Sequence, residues 1–165
     1  MPEQFLDVRI LDNFYQTSSF FPMPVVLIST FAESGRTNLG PYSLCFPHIV
    51  TKQGDHAMML ISRATSNTAA NIVRTKVCAI NFIPDKTKYL KNCVMLGFPG
   101  ETTEEKMKHS IFTLLPGTGY GTPPARSGQA AYPEIVKEAI QVFLCTWDES
   151  YPLKHNEFET FYFLL

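Results

Sequence analysis

The sequence has little charge and almost no net charge. Lys, Arg, Asp and Glu make up 18% of the 165 residues, and 14 basic side chains face 15 acidic ones, for a formal net charge of −1. That balance leaves no counterion-releasing basic surface, and no Lys/Arg stripe runs along the chain, so nucleic acid is not expected as a partner. Long apolar runs are missing too. Residues 1–10 carry Glu3, Asp7 and Arg9 and lack the continuous apolar segment of a secretory signal. The most apolar early run, residues 20–28, is broken by Pro22 and Pro24 and is too short to cross a bilayer. A cytoplasmic protein with no membrane partner is the expectation.

The patterns of metal and nucleophile sites are also absent. Four cysteines, Cys45, Cys78, Cys93 and Cys145, lie far apart with no C-x-x-C, and without a secretory signal a disulfide framework is not expected. Cys45 and His48 have a loose C-x-x-H spacing, but no second pair follows at a zinc spacing. His48, His56, His109 and His155 are scattered, so no metal site is expected. A Cys45/His48 nucleophile pair stays open, since closeness in sequence says little about closeness in space. There is no G-x-S-x-G elbow. Gly117-x-Gly119-x-Gly121 resembles half a dinucleotide fingerprint, but Pro123 and Pro124 stand where a helix would have to begin, which rejects a Rossmann site.

What is present is apolar and aromatic, at 45% and 13%. This composition belongs to a globular chain, and the length suits a single domain spanning residues 1–165. Residues 24–31 (PVVLISTF) read as a strand. Gly35 can supply the positive φ of a tight turn, and residues 37–45 return as a second strand, making a hairpin. Residues 57–62 and 77–83 are further strands, and residues 67–74 between them place Ala70, Ile72 and Val73 within helical reach. Thr102-x-x-Glu105 is a capping box opening a helix to about Ser110. Residues 113–133 are rich in Gly and Pro and read as a long surface loop. Residues 139–145 and 158–165 are the last strands. Many short strands with few helices point to a mainly β or α+β domain built on a barrel. An aromatic strand with no polar tail is an odd terminus, and suggests that the sequence stops mid-domain.

The stretch SRATSNTAANI, residues 62–72, carries the most chemical information. A strand ends at Ser62, Arg63 follows, and a helix starts among hydroxyl-bearing residues. The free N–H groups and positive dipole end of a helix attract an anion. Thr65, Ser66 and Thr68 can add hydroxyl donors, and Arg63 a planar charged fork. The same residues also suit a plain helix cap beside a solvated Arg, and spacing alone does not choose between the two.

Here the sequence resembles the flavin-reductase-like FMN-binding split barrels. Ser62, Arg63, Thr68, Asn71 and Ile72 match the family's strand-to-helix motif. Gly35, Arg36, Asn38, Pro41 and Ser43 match its opening hairpin, and AYPEIVKEAIQVFLC resembles a later segment leading into a strand ending in Cys. The likeness runs over about residues 22–145. It implies a split β-barrel with short helices, a homodimer, and FMN at the subunit interface. The segment Tyr42, Ser43, Leu44 and Cys45 would lie along the isoalloxazine ring, Ser62 and Arg63 would hold the ring edge and ribityl chain, and Thr65, Thr68 and Asn71 would reach the phosphate. Asn38 joins them as a cofactor-site candidate. Cys45 equally suits an ordinary packed thiol. Relatives continue past a strand like FETFYFLL with further strands, whereas this sequence does not.

The function implied is that of a flavin reductase taking hydride from NADH or NADPH and passing electrons to a small-molecule or protein acceptor. Flavin supplies the redox chemistry, so no side chain is obliged to act as acid or base, and none is assigned a catalytic role. The Gly- and Pro-rich residues 115–133 could form a movable cover. A non-enzymatic FMN electron carrier is the alternative. A flavin-free ligand-binding barrel follows if residues 62–72 form only a helix cap.

Overall fold

The computed structural model describes residues 24–49, 56–98, 100, 102–117, 132–149, 153–155 and 158–164. In chain order the strands are β1 (Val26–Phe31), β2 (Thr37–Tyr42), β3 (Cys45–Ile49), β4 (His56–Arg63), β5 (Val77–Phe82), β6 (Leu114–Leu115), β7 (Ile135–Val136), β8 (Gln141–Thr146), β9 (Leu153–His155) and β10 (Phe158–Leu164). The helices are α1 (Asn67–Thr75), α2 (Thr87–Leu96) and α3 (Thr103–Met107). One four-stranded sheet has the order β2-β1-β5-β8, the other β3-β4-β10-β9, and β6-β7 form a small ribbon. All described pairings are antiparallel.

The β1–β2 hairpin turns as its sequence demands. Gly35 takes φ +78°, its N–H donates to the Ala32 carbonyl at 3.0 Å, and the Ala32 N–H donates to Arg36 O at 2.8 Å. The return strand is shorter than the sequence suggests. It ends at Tyr42, and after Ser43 and Leu44 the chain enters the second sheet as β3. The inward phase shifts there, from Asn38, Gly40 and Tyr42 in β2 to Cys45 in β3, but with Asn38 and Gly40 at inward positions no apolar alternation in β2 marks the break. The crossing is tied to β4 by the Ile61 N–H, which donates to Leu44 O at 3.0 Å. Pro41 is tolerated because β2 is an edge strand among the described residues.

The period of two sorts side chains into two cores. Val26 and Ile28 of β1, Cys45 of β3, Met58 and Leu60 of β4, Cys78 and Ile80 of β5, Cys145 of β8 and Phe161 of β10 fill the space between the sheets, with Ala69 and Ile72 of α1. On the outer face of the first sheet, Leu27, Leu39 and Ile83 pack against Tyr89, Cys93 and Leu96 of α2 and against Phe112 and Val136. Asn81 pins this outer layer. Its Nδ2 donates to Leu27 O and Ser29 Oγ, both at 2.9 Å, and its Oδ1 accepts from the Val136 N–H at 2.8 Å.

Helix α2 is absent from the sequence reading, although Tyr89, Asn92, Cys93 and Leu96 are buried at helical spacing. Two features hide it. Lys86 at its N-cap makes no side-chain cap bond, and polar Asn92 interrupts the apolar stripe. That Asn is buried because it is satisfied: Nδ2 donates to His109 O at 2.7 Å and Oδ1 accepts from the Ile111 N–H at 3.2 Å. The capping box of Thr102 and Glu105 forms as expected, but the helix it opens stops at Met107. Of the expected loop over residues 113–133, residues 118–131 lie outside the described residues, and so does most of the proposed cover.

Candidate functional site

Helix α1 is placed by its two ends. Ser66 caps it, its hydroxyl accepting from the Ala69 N–H at 3.0 Å. At the far end Lys76 takes the left-handed conformation at φ 64°, its N–H donating to Ile72 O at 2.8 Å. Lys76 is held there by the Trp147 N–H on its carbonyl, a 3.0 Å ion pair with Glu149, and the Trp147 ring 4.5 Å from its Nζ.

Between these ends α1 lies along the inward face of β2, residue against residue. Tyr42 meets Ser66 with hydroxyls 3.3 Å apart. Gly40 meets Thr68 so closely that a Cβ on Gly40 would collide with the Thr68 Oγ1 and approach the Tyr42 ring to 3.0 Å. Asn38 meets Asn71 through Thr30, whose Oγ1 accepts from Asn38 Nδ2 at 3.3 Å and from Asn71 Nδ2 at 3.1 Å. Arg74 completes that end by donating to Asn71 Oδ1 at 3.1 Å and to the Phe31 carbonyl, while Thr103 Oγ1 donates to Asn38 Oδ1 at 3.3 Å.

The N-terminal end of α1 is where the two sheets come together. Ser62, the last inward residue of β4, has its Oγ 2.7 Å from the Tyr42 hydroxyl and 2.8 Å from Ser66 Oγ. Three hydroxyls from β2, β4 and the helix cap thus form one cluster. Ser43 and Leu44, crossing between the sheets, and Arg63 and Thr65, in the turn before the helix, surround it in the chain. Ser43, Arg63 and Thr65 are exposed, Tyr42 and Leu44 half-buried, and Ser62 buried.

The ten sequence candidates therefore fall into three groups. Tyr42, Ser43, Leu44, Ser62, Arg63 and Thr65 gather at the mouth by the start of α1. Thr68 is buried mid-helix against Gly40, and Asn38 and Asn71 form a buried amide pair farther along. Cys45 is 1% exposed and belongs to the core between the sheets. Burial pushes its thiol up to about 12, with the Cys145 thiol adding to the effect, so it stays protonated at neutral pH. A Cys45/His48 pair is not formed: three residues apart on one strand, they point to opposite faces, Cys45 inward and His48 to the exposed side. Among the described residues no group of three or more His, Cys, Asp and Glu is arranged to hold a metal ion. Thr30 and Arg74 escaped the sequence reading. Thr30 could have been found from its phase, two residues beyond inward Ile28; Arg74 carries no such signal.

A separate cleft of about 490 Å³ opens on the other side of α1. Asn67, Ala70 and Asn71 form one wall, the hairpin turn Ala32, Glu33 and Ser34 another, and Thr102, Thr103 and Glu104 the third.

No protein-family model and no curated protein matches the chain. Solved structures do. Nitrilotriacetate monooxygenase component B from Bacillus cereus superposes with a TM-score of 0.69 at 15% identity, over 98% of this chain and 80% of that one. Flavoredoxin from Methanosarcina acetivorans gives 0.66 at 17% identity, over 97% and 73%. The styrene monooxygenase flavin reductase from Pseudomonas putida S12 gives 0.60 at 12% identity, over 92% and 83%. The chain has the split-barrel fold of the flavin-reductase-like proteins.

Proposed function

We propose that the protein binds FMN at the mouth beside α1, on a homodimer interface, and acts as a flavin-reductase-type oxidoreductase drawing hydride from NADH or NADPH. The observation that carries this reading is the Tyr42–Ser62–Ser66 hydroxyl cluster at the head of α1, with Arg63 and Thr65 exposed beside it. A flavin nucleotide asks for donors toward its ring edge and ribityl chain and for donors or positive charge toward its phosphate. The residues present fit that demand. Tyr42 and Ser62 offer hydroxyls, Arg63 a planar charged fork, and the first turn of α1 its N–H groups.

The redox chemistry is the flavin's own when it is bound, as hydride acceptor and then electron donor. The chain's part is to bind, orient and screen. Ser66 serves two functions, fixing the helix start and holding Tyr42 and Ser62 together. Gly40 lets α1 come down onto β2, which sets where that helix start lies. Solved structures of like fold that bear the names flavin reductase and NADH:FAD oxidoreductase support the reading.

Calorimetric titration with FMN, followed by anaerobic mixing with NADH and NADPH, tests it. Binding followed by rapid bleaching of the flavin band is expected. No heat with FMN would overturn the flavin reading. The likeness to a flavoredoxin supports a second reading, an electron carrier, which binding without bleaching by either nucleotide would favour.

A further inference from the structure

Helix α2 buries one face against the first sheet and shows the other to solvent. That open face has an unusual composition. Residues 87–96 hold no carboxylate, and apart from Thr87 every exposed side chain among them is a lysine or is apolar. Val94 is 65% exposed, and Phe98, one turn further on, 60%. Met95 is exposed as well, and so is Ile111, whose N–H donates to Asn92 Oδ1 at the helix's side. Helical spacing sets Lys91 in one row with Val94 and Phe98, and Lys88 in the next with Met95. We propose that this face of α2 binds an anionic lipid surface. Val94, Met95 and Phe98 enter the acyl boundary, while Lys88 and Lys91 meet the headgroup phosphates. The inference is independent of the flavin reading.

Charge is the first argument. Lys86, Lys88 and Lys91 line the N-terminal half of the face, and the nearby acids are Asp85, just before the helix, and Glu105, which faces Lys108. The lysines do not serve the helix itself. Lys86 at the N-cap makes no side-chain cap bond, and a cation in the first turn, as at Lys88, is opposed by the helix dipole. Lys88 leans on the Tyr89 ring, its Nζ 4.7 Å from the centroid, and stays exposed. An anionic surface turns this cost into attraction. Shape is the second argument. The apolar side chains project from a convex helix, whereas the anchors of a protein partner seat in pockets that the partner would have to bring. A second copy of this chain fits poorly, because pairing α2 with itself would draw Lys91 of both copies into an apolar contact without a counter-charge. Among the described residues no helix is long and apolar enough to cross a membrane. A helix lying in the plane of the interface needs no such length. The expectation of no membrane partner rested on crossing segments, and the proposal departs from it.

Co-sedimentation of the whole chain with lipid vesicles tests it, using phosphatidylglycerol mixed with phosphatidylcholine and phosphatidylcholine alone. Binding to the anionic vesicles at low salt is expected, fading as salt rises, with far weaker binding to the neutral ones. The pair Lys88→Gln/Lys91→Gln should weaken partitioning about twentyfold. Phe98→Ser should weaken it severalfold at every salt concentration, since it removes apolar contact and no charge. All three positions are exposed, and circular dichroism checks that the variants fold. Phe98→Trp reports insertion: its emission, above that of Trp147, should shift to the blue on anionic vesicles and be quenched by brominated acyl chains. No binding to anionic vesicles at low salt overturns the inference. So does binding that neither variant weakens, or a Phe98→Trp emission unmoved by bound vesicles. Light scattering without lipid judges the rival occupant: self-association that Phe98→Ser abolishes would give the face to a second copy and overturn the lipid assignment.

Discussion

The hydroxyl of Tyr42, at the end of one sheet, lies 2.7 Å from that of Ser62, at the end of the other. Ser62 is only 2% exposed, so its hydroxyl depends on protein partners, and Tyr42 and Ser66 supply them. Tyr42→Phe removes its contacts to Ser62 and Ser66 and leaves the Ser62–Ser66 contact, at an expected cost of about 1 kcal/mol. Ser66→Ala removes the helix cap as well, at about 1–2 kcal/mol. Because the three hydroxyls share hydrogens, urea unfolding of the double variant should show a loss that differs from the sum of the single ones. Strict additivity would mean that the cluster does not act as a unit.

Gly40→Ala tests how closely α1 sits on β2. The new methyl would meet Thr68, a stiff buried side chain on a packed helix, so the helix itself has to move. Overpacking of this kind costs about 1–3 kcal/mol. Thr68→Ala removes the obstructing atoms, and the pair Gly40→Ala/Thr68→Ala should recover part of the loss. A Gly40→Ala protein with wild-type thermal stability would show that the helix has room to spare.

Local chemistry explains what the sequence disclosed. The β1–β2 turn was legible because Gly35 adopts a positive φ that few other residues tolerate, and α1 because Ser66 precedes a helical pattern. The split of residues 37–45 into β2 and β3 was not, because Asn38 and Gly40 take inward positions in β2, so no apolar alternation is there to show the phase shift at Ser43 and Leu44. Helix α2 was lost to a polar residue in its apolar stripe, satisfied only by Asn92's bonds to residues 109 and 111 far along the chain. Ser62, Arg63 and Thr65 stood out with Thr68 and Asn71 as a strand-to-helix motif, whereas Tyr42, Ser43 and Leu44 entered only through the family resemblance. The division of these candidates was not legible, since Thr68 and Asn71 turn inward from the mouth only because α1 lies along β2.

The buried thiols predict a loss of stability in alkali. Burial raises Cys45 from its ordinary 9.0 to about 12 and Cys93 to about 11. Below pH 9 these thiols are protonated whether the chain is folded or not, so they give no pH dependence. Between 9 and the folded values the unfolded chain releases protons that the folded one keeps. The slope of unfolding free energy with pH is then negative, and stability falls through that window. Cys93→Ala should flatten the fall between about pH 9 and 11, whatever its cost at pH 7. All four cysteines are buried, so a thiol reagent at pH 8 should react with native protein far more slowly than with unfolded protein. Prompt reaction would mean that at least one thiol is reached without unfolding.

Arg63 is the sharpest test of the mouth as a flavin site. It is exposed at the end of β4, one residue past Ser62 and four before the first residue of α1. An Arg so placed either contributes a charge-assisted hydrogen bond to a bound nucleotide or is a solvated charge. The two cases differ in size. A bond to a charged group is worth about 1.5–3 kcal/mol, so Arg63→Ala should weaken FMN binding about ten- to a hundredfold. Thr68→Val, which has no charge to lose, should cost less. Riboflavin locates the contact: if Arg63 meets the phosphate, riboflavin binds both proteins equally, and if it holds the ring edge or ribityl chain, riboflavin weakens in step with FMN. Salt gives a further check, because an exposed charge pair is screened, so the gap between wild type and variant should narrow as ionic strength rises. Equal FMN affinity in wild type and Arg63→Ala at low salt would make Arg63 a surface residue and move the cofactor site away from the turn before α1.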